Sequence, residues 1–156
     1  IPFFMSIKGG QAFPITDNRM TRFMISLEEG VELVWHAFDD MKGGEIYVKK
    51  IPSMKVTDVA LAVDENTKQE EVGIRPGEKL HEQMIGIEDA LYTYEYPEYF
   101  KILPSINGWA KDEARIGDGI RVPEDFTYTS NNNKEWMEIS ELQEWIEKNE
   151  AKIGNI

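Results

Sequence analysis

The clearest pattern of apolar and polar positions in the chain lies between Ser26 and Gly44. Apolar residues recur there with the 4-3-4-3 spacing that keeps side chains on one face of a helix, at Leu27, Val31, Val34, Phe38 and Met41. Ser26 and Glu29 have the S-x-x-E spacing of a capping box, and the glycine pair 43–44 is a stop signal. The sequence therefore predicts a long helix here, with Val34 and Phe38 at core positions.

Shorter apolar patterns predict further helices and strands on both sides of this helix. Helices are expected over 1–10, over 54–63 with Val56, Val59, Ala60 and Val63 facing inward, and over 141–153 after a second capping box formed by Ser140 and Gln143. Extended segments are expected over 11–17, 18–25, 45–51 and 69–74, and a helical turn over 88–92. Because helices alternate with short strands, the fold class is α/β.

Two later segments have weaker patterns. The aromatic run "YTYEYPEYF" (92–100) is more typical of core or interface packing than of stacking on a sugar or a base. Residues 108–122 contain three glycines and no clear period, which predicts a long loop or a partly disordered excursion.

Composition limits the classes of partner. The chain has 156 residues, 29 acidic against 17 basic side chains and a net charge of -12, so its overall field repels nucleic acid and anionic membrane. The absence of cysteine excludes disulfides, thiolate metal sites and cysteine nucleophiles, and it fits a cytoplasmic location. No G-x-G-x-x-G turn, P-loop or HExxH motif occurs. The chain begins with Ile1, and we therefore expect a fragment of a longer protein or a processed product.

An anionic ligand of so acidic a chain must bind to a local cluster of arginines. "RMTR" (19–22) is one such cluster, because a guanidinium offers a fork of donors that matches two phosphate oxygens. Arg22 also precedes the predicted helix cap, Ser26, by four residues, so we expect the backbone amides at the start of that helix to add to the binding of an anion. Ordinary surface salt bridges explain the same two arginines equally well.

The stretch "VGIRPGEKLHEQM" (72–84) holds the second arginine cluster. Proline after Arg75 favours an extended arginine backbone, and Gly77 permits a tight reversal. Arg75 and Glu78 then project from one turn, where the guanidinium suits a diphosphate and the carboxylate suits a ribose diol. The alternative is an Arg75–Glu78 ion pair, worth only about 0–1 kcal/mol when exposed.

The two histidines give weaker signals. His36 lies within the predicted long helix, where a boundary side chain is the expected role. His81 follows the second arginine cluster, and capping or a hydrogen bond to Glu78 explains it without a ligand.

Four stretches in this order carry a family resemblance: "ITDNRMTRFMISLEEGVELV", "GGEIYVKKIPSMKVTDVALAV", "VGIRPGEKLHEQMI" and "DFTYTSNNNKEWMEISEL". They resemble the C-terminal part of the nucleotide-sugar 4,6-dehydratases of the extended short-chain dehydrogenase/reductase superfamily, with the C5-inverting branch acting on UDP-N-acetylglucosamine nearest. The resemblance implies an α/β substrate-binding region at 1–100, a variable loop at 101–122, and a C-terminal extension with a terminal helix at 123–156. It also implies that the N-terminal Rossmann half is lacking.

The resemblance assigns roles to four residues. Arg22 matches an arginine expected at the diphosphate, Arg75 a second arginine near the phosphates and ribose, and Glu78 the acidic residue that bonds the ribose. Ile15 matches a position whose backbone lies beside the uracil. No catalytic residue and no metal site can be carried over to this chain.

The implied enzyme is an NADP-dependent lyase of surface-glycan biosynthesis, such as that of pseudaminic acid. NADP is bound by the missing domain in relatives, so neither cofactor nor activity is expected for this chain alone. A UDP-sugar is the expected ligand, and a homo-oligomer or a Rossmann-domain chain the expected partner. Alternatives are part of a capsule-type 4,6-dehydratase/5-epimerase, or a stand-alone binding module that pairs with another chain.

Overall fold

A computed structural model describes residues 1–10, 12–149 and 153. The helices are α1 (Pro2–Ser6), α2 (Leu27–Asp40), α3 (Val56–Val63), α4 (Glu113–Ile116) and α5 (Ile139–Asn149). The strands are β1 (Phe13–Ile15), β2 (Thr21–Phe23), β3 (Ile46–Lys49), β4 (Ser53–Lys55), β5 (Gln69–Glu71), β6 (Gln83–Ile85), β7 (Thr93–Glu95), β8 (Tyr99–Ile102), β9 (Ile120–Arg121) and β10 (Tyr128–Thr129). Two 3-10 turns occupy Ala90–Tyr92 and Trp109–Lys111. This mixture of short strands and helices confirms the α/β class.

The chain contacts define two units that interleave along the sequence. The first unit comprises Ile1–Met24, Pro52–Glu82 and Asn133–Ile156, and the second comprises Ile25–Ile51 and Gln83–Asn132. None of the described helices is long and apolar enough to cross a membrane.

The first unit is built on two strand pairs and three helices, α1, α3 and α5. β1 pairs in parallel with β5, and β2 pairs antiparallel with β4. Phe13 and Ile15 alternate with Pro14 along β1, so both point to one side and are fully buried. α3 contributes its predicted inward face to the same core, with Val56 packed at the margin. The buried members of this core are Phe4, Phe13, Ile15, Met54, Val59, Ala60, Ala62, Val63 and Leu142.

The second unit contains an antiparallel sheet with the strand order β3-β8-β7-β9 and a separate β6–β10 pair. The aromatic run supplies much of its interior, since Tyr94, Tyr96 and Phe100 are all buried. The hydroxyls of Tyr94 and Tyr96 donate to the carbonyls of Ala110 at 2.8 Å and Ile116 at 2.5 Å. Core packing, the interpretation favoured from the sequence, is confirmed.

The long helix is confirmed, but the location of its apolar face is not. Ser26 Oγ accepts from the backbone N–H of Glu29 at 3.2 Å, and the Glu29 carboxylate accepts from the backbone N–H of Ser26 at 2.8 Å, which completes the predicted capping box. The expectation that Val34 and Phe38 occupy core positions is wrong. They are 53% and 60% exposed, and no residue of α2 is buried.

Several strands escaped the sequence patterns. The helix expected over 54–63 begins only at Val56, because Ser53–Lys55 form β4, which pairs with β2. β7 and the start of β8 lie within the aromatic run, where the neighbouring Tyr99 and Phe100 place aromatic side chains on both faces of β8 and obscure its period. The strand expected over 69–74 ends at Glu71, since the backbone beyond it turns away at Gly73, where φ is 87°.

The prediction of a long loop over 108–122 is wrong. This segment contains a 3-10 turn, α4 and the edge strand β9. It is fixed by Arg115, which is buried and donates to the carboxylate of Glu45 and to the carbonyl of Gly43 at 2.9 Å. A partner 70 residues away produces no local periodicity.

The ends of the chain also differ from the prediction. α1 ends at Ser6 rather than near residue 10. The terminal helix begins at Ile139, so Ser140 lies inside it and the predicted Ser140–Gln143 capping box is wrong. The Glu141 carboxylate instead accepts from the backbone N–H of Glu138 at 2.7 Å. The predicted continuation of this helix past Asn149 lies, apart from Ile153, outside the described residues.

Candidate functional site

The candidate site surrounds one loop of the first unit, residues 72–82, which we call the RPGE loop. At its start, the backbone N–H of Val72 donates to the carbonyl of Ile15 at 2.8 Å, continuing the β1–β5 pairing. Near its end, the carbonyl of Leu80 accepts from the backbone N–H of Thr21 at 3.1 Å. The two ends of the loop are therefore hydrogen-bonded to the end of β1 and to the start of β2.

A tight turn at the centre of the loop presents the predicted ligand groups. The backbone N–H of Glu78 donates to the carbonyl of Arg75 at 3.0 Å, and the Glu78 carboxylate accepts from the backbone N–H of Arg75 at 3.3 Å. Gly77 has φ of 83°, a conformation that favours glycine, as the sequence predicted. The Glu78 carboxylate is thus held by the backbone of the turn.

Arg75 has no ionic partner among the described residues. The residue is exposed, and the Arg75–Glu78 ion pair that was the alternative interpretation is not among the salt bridges of this part of the chain. Its guanidinium therefore projects from a backbone turn without a competing carboxylate. That arrangement leaves its donors available to an anion.

Arg22 has a different environment, because its guanidinium fixes the end of the loop. It donates to the carbonyls of Thr21 at 2.7 Å, Leu80 at 3.3 Å and Lys79 at 3.1 Å, and its Nε lies 3.4 Å from the Glu82 carboxylate. A guanidinium has five N–H donors, so these contacts occupy most of them. Arg22 positions the loop directly, whatever else it binds.

Arg19 of the same "RMTR" cluster forms the surface salt bridge that was one of its two interpretations. Its Nε and Nη2 donate to the two carboxylate oxygens of Asp17 at 3.0 and 2.7 Å, and its side chain is 73% exposed. The hydrogen bonds from the Arg19 side chain, and then from its backbone N–H, lower the pKa of Asp17 to about 2. The neighbouring Asn18 bonds the carboxylate of Glu71.

His81 packs against β2 rather than against Glu78. Its Nδ1 lies 2.8 Å from Thr21 Oγ1, and the hydrogen bond to Glu78, one of the two roles considered from the sequence, is not among its contacts in the described structure. Thr21 is buried, and this contact adds a side-chain link between the loop and β2. His36, in the second unit, is a half-buried boundary residue, as predicted, with its ring 4.5 Å from that of Tyr99.

All four site residues predicted from the sequence lie in this loop or contact one of its two ends. Ile15 holds the start, Arg22 holds the end, and Arg75 and Glu78 form the turn between them. The Ile15 side chain is fully buried, so only its backbone can face a ligand. Sequence reasoning missed the carbonyls of Lys79 and Leu80 and the hydroxyl of Thr21, whose roles depend on pairing across about 60 residues. No group of three or more metal-ligating side chains occurs in the described part of the chain.

Replacement of Asp17 by asparagine is expected to have a pH-dependent effect on stability. Because the folded state lowers the pKa of Asp17 to about 2, its ionised form stabilises the protein above the ordinary carboxyl pKa of about 4, and this contribution is lost as pH falls toward 2. Urea unfolding at pH 7, 4, 3 and 2 should show Asp17→Asn less stable than wild type at pH 7, with the difference shrinking below pH 4. Asp125→Asn, at an exposed position, is the control. A difference that stays constant down to pH 2 contradicts the assignment.

Comparison with known proteins identifies the family. A family model described as polysaccharide biosynthesis protein matches residues 1–104, which include both arginine clusters. The chain belongs to the polysaccharide biosynthesis protein family.

Individual proteins similar to this chain include a member of the dehydratase group that its sequence resembles. A UDP-N-acetylglucosamine 4,6-dehydratase (inverting) from Campylobacter jejuni serotype O:2 is 46% identical over 97% of the chain and 47% of the relative. A UDP-glucose 4-epimerase from Rickettsia rickettsii is 33% identical over 94% of the chain and 44% of the relative. The X-ray structure of Pen from Bacillus thuringiensis superposes with a TM-score of 0.74 and 30% identity, over 94% of the chain and 43% of Pen. The chain thus spans about half the length of the relatives it matches.

Proposed function

We propose that this chain is the UDP-sugar-binding portion of a C5-inverting UDP-N-acetylglucosamine 4,6-dehydratase that serves the synthesis of surface glycans such as pseudaminic acid. The observation that carries the proposal is the RPGE loop, which presents an ion-pair-free guanidinium and a backbone-held carboxylate from one turn. Both relatives are named for reactions of UDP-sugars, and this supports a UDP-sugar ligand. The higher identity to the dehydratase, 46% against 33%, favours dehydration over 4-epimerisation.

In this proposal the loop residues have separate roles. Arg75 supplies the main charge to the diphosphate, since its fork of donors is not engaged by a carboxylate in the described structure. Arg22 holds Lys79 and Leu80 in place and directs its remaining donor capacity to the same diphosphate. Glu78 accepts hydrogen bonds from the ribose diol, and the backbone at Ile15 borders the uracil. Each arginine therefore acts on the anion despite the net charge of -12.

The contribution of this chain to the reaction is affinity and orientation. The sequence contains no G-x-G-x-x-G turn, so none of its residues is assigned to the NADP that the resemblance implies. We derive no hydride or proton step from this chain. Holding a sugar nucleotide in a fixed geometry is nevertheless a large part of catalysis by proximity.

The test is titration with UDP, followed by NMR or calorimetry. Arg75→Ala is expected to weaken UDP binding roughly ten-fold, as befits the loss of a hydrogen bond to a charged group, and to weaken UMP binding less. Arg121→Ala, at an exposed arginine of the second unit, is the matched control and should leave both affinities unchanged. Equal UDP affinity for wild type and an Arg22→Ala/Arg75→Ala double variant is incompatible with the proposed site.

The role of Glu78 is tested with a UDP analogue that lacks the ribose diol. Wild type is expected to prefer UDP over its 2′,3′-dideoxy analogue, and Glu78→Gln to lose most of that preference. The 156-residue chain is expected to bind UDP more weakly than the same chain joined to the half of the relatives that it does not span. Equal affinities would instead support the stand-alone binding module.

A further inference from the structure

A tight turn in the second unit is built on the only Asn-Gly pair of the sequence, Asn107 and Gly108. Both residues have a positive φ, 53° and 72°, and the backbone N–H of Trp109 donates to the carbonyl of Ile106 at 3.0 Å. Two central residues with positive φ, closed by this hydrogen bond, define a type I′ turn. The turn leads directly into the 3-10 turn Trp109–Lys111.

The polar groups at the centre of this turn are not engaged by the described part of the chain. Neither the backbone N–H of Gly108 nor the carboxamide of Asn107 takes part in a hydrogen bond among the described residues. Both residues are exposed, and a Cβ placed on Gly108 would have no atom beyond its chain neighbours within 4 Å. The Asn107 carboxamide therefore lies in solvent next to an unengaged main-chain nitrogen.

This arrangement brings a nucleophile and an electrophile together. The carboxamide carbon of an asparagine is an electrophile, and the nitrogen of the following residue reaches it by closing a succinimide ring. A side chain on the following residue obstructs that approach, whereas glycine has no Cβ. We propose that Asn107 is a site of self-modification, at which the Gly108 nitrogen displaces the side-chain amide and Asn107 becomes aspartate or isoaspartate.

The reaction consumes water and no other reactant. The Gly108 nitrogen bonds to Cγ of Asn107, the bond from Cγ to Nδ2 breaks, and the amide leaves as ammonia with the proton lost by the Gly108 nitrogen. Water then opens the ring at one of its two carbonyls. Opening at Cγ gives aspartate, whereas opening at the main-chain carbonyl gives isoaspartate, whose main chain runs through Cβ and Cγ. Each product carries one more negative charge than Asn107, and no atom is oxidised or reduced.

A second pair with the same chemistry, Asp118–Gly119, has a closed environment. The backbone N–H of Gly119 donates to the carbonyl of Ile116 at 3.2 Å, and a Cβ on Gly119 would lie 2.5 Å from the ring of Tyr96. Tyr96 is buried, and its hydroxyl donates to the same Ile116 carbonyl at 2.5 Å. The nitrogen is engaged and the peptide is held against a ring, so succinimide formation there requires local unfolding.

Two asparagines of the Asn-rich turn are fixed by hydrogen bonds and are not followed by glycine. The Asn132 carboxamide accepts from the backbone N–H of Thr129 at 3.0 Å and donates to Thr127 Oγ1 at 2.9 Å. The Asn133 carboxamide donates to Ser53 Oγ at 3.0 Å. Asn107 thus combines a following glycine, an unengaged carboxamide and an unengaged nitrogen.

Isoaspartate at Asn107 changes the backbone just before two tertiary contacts of the second unit. The ring centroid of Trp109 lies 4.1 Å from the Arg115 guanidinium, and the carbonyl of Ala110 accepts from the hydroxyl of Tyr94 at 2.8 Å. An added main-chain atom displaces these groups, whereas aspartate keeps the main chain and tolerates a positive φ. We therefore expect the isoaspartyl form to have a lower Tm than both the unmodified chain and Asn107→Asp.

The test follows the peptides that contain Asn107 and Asp118 by chromatography and mass spectrometry. The chain is incubated in neutral buffer, folded or unfolded in guanidinium chloride. Deamidation of Asn107 in the folded chain should proceed within about three-fold of its rate in the unfolded chain, and isoaspartate formation at Asp118 should be about ten-fold or more slower in the folded chain. Both aspartate and isoaspartate should form from Asn107, because the succinimide opens at either carbonyl.

Asn107→Gly is the matched control. Glycine adopts the same positive φ and has no carboxamide, so the acidic charge variant that accumulates in the incubated wild type should be absent. Asn107→Asp supplies the aspartyl form, whose Tm should lie within about 2 °C of wild type.

Three results overturn the proposal. Protection of Asn107 by folding as strong as that of Asp118 means that the turn closes the site. Aspartate without isoaspartate means that water, and not the Gly108 nitrogen, attacks the carboxamide. Deamidation of Asn107 no faster than that of Asn132 in the folded chain means that the turn confers no reactivity. An isoaspartyl form as stable as Asn107→Asp overturns the assigned effect on the two tertiary contacts.

Discussion

Replacing Phe13 with alanine is expected to lower the free energy of unfolding of the first unit by about 3–5 kcal/mol. The Phe13 side chain is fully buried on β1, and its ring centroid lies 5.0 Å from that of Phe4. Its removal leaves a cavity between α1 and the strand pair that holds the RPGE loop. A domain has only about 5–15 kcal/mol of stability, so this single change uses a large share of it.

Urea unfolding monitored by circular dichroism measures this effect. Phe3→Ala is the matched control, since it removes the same kind of side chain from a 51% exposed position on α1 and should cost less than about 1 kcal/mol. UDP binding should also decrease in Phe13→Ala, because β1 ends at Ile15, which holds the start of the loop. Equal costs for the two variants are inconsistent with a core built on β1.

The sequence predicts well those features that depend on residues only a few positions apart. The capping box of α2 needs only Ser26 and Glu29, which are three residues apart, and the inward face of α3 follows from a single helical period. The sequence predicts the turn at Arg75 for the same reason, because Pro76 restricts the backbone and Gly77 permits the reversal, both within four residues. The roles of the four site residues, in contrast, came from resemblance to a family.

What the sequence could not predict depends on partners distant along the chain. β4 is a strand because β2 lies beside it, and Arg22 holds carbonyls 57 and 58 residues away. The period of α2 identifies an apolar face but not whether that face is buried, and the structure shows Val34 and Phe38 exposed. Segment 108–122 shows no local period because its order comes from Arg115 and Glu45, whose contact spans 70 residues.

The contact between Arg115 and Glu45 leads to the second large prediction. Replacing Arg115 with methionine should cost the second unit about 3 kcal/mol, because it leaves a carboxylate with only 2% of its side chain exposed and no cation beside it. The guanidinium also lies 4.1 Å above the ring of Trp109, so its loss loosens the 3-10 turn before α4. The cost should lie near the low end of the range for broken buried pairs, since the backbone N–H groups of Lys42 and Gly43 still donate to Glu45.

A double-variant cycle separates the pair from its surroundings. Glu45→Gln in the Arg115→Met background removes the unpaired charge and should recover part of the loss, giving a coupling energy of about 1–3 kcal/mol in urea unfolding. Lys148→Met is the control, because it removes a cation from an exposed ion pair, 3.3 Å from Glu144, and should cost less than about 1 kcal/mol. If Arg115→Met costs no more than Lys148→Met, Arg115 does not order the segment.

The pH dependence of this loss tests its electrostatic origin. Burial raises the pKa of Glu45, but hydrogen bonds from the backbone N–H groups of Glu45, Gly43 and Lys42, together with the charge of Arg115, outweigh burial and lower it. A lowered folded-state pKa stabilises the protein above the ordinary glutamate pKa of about 4.3, and that stabilisation disappears as pH falls below it. Arg115→Met removes one of the influences that lower the pKa of Glu45. The Glu45 carboxylate is therefore protonated at a higher pH in the variant than in wild type. The stability gap between the two proteins should therefore shrink below about pH 4, and a gap that stays constant there would show that packing on Trp109, and not the charge pair, dominates.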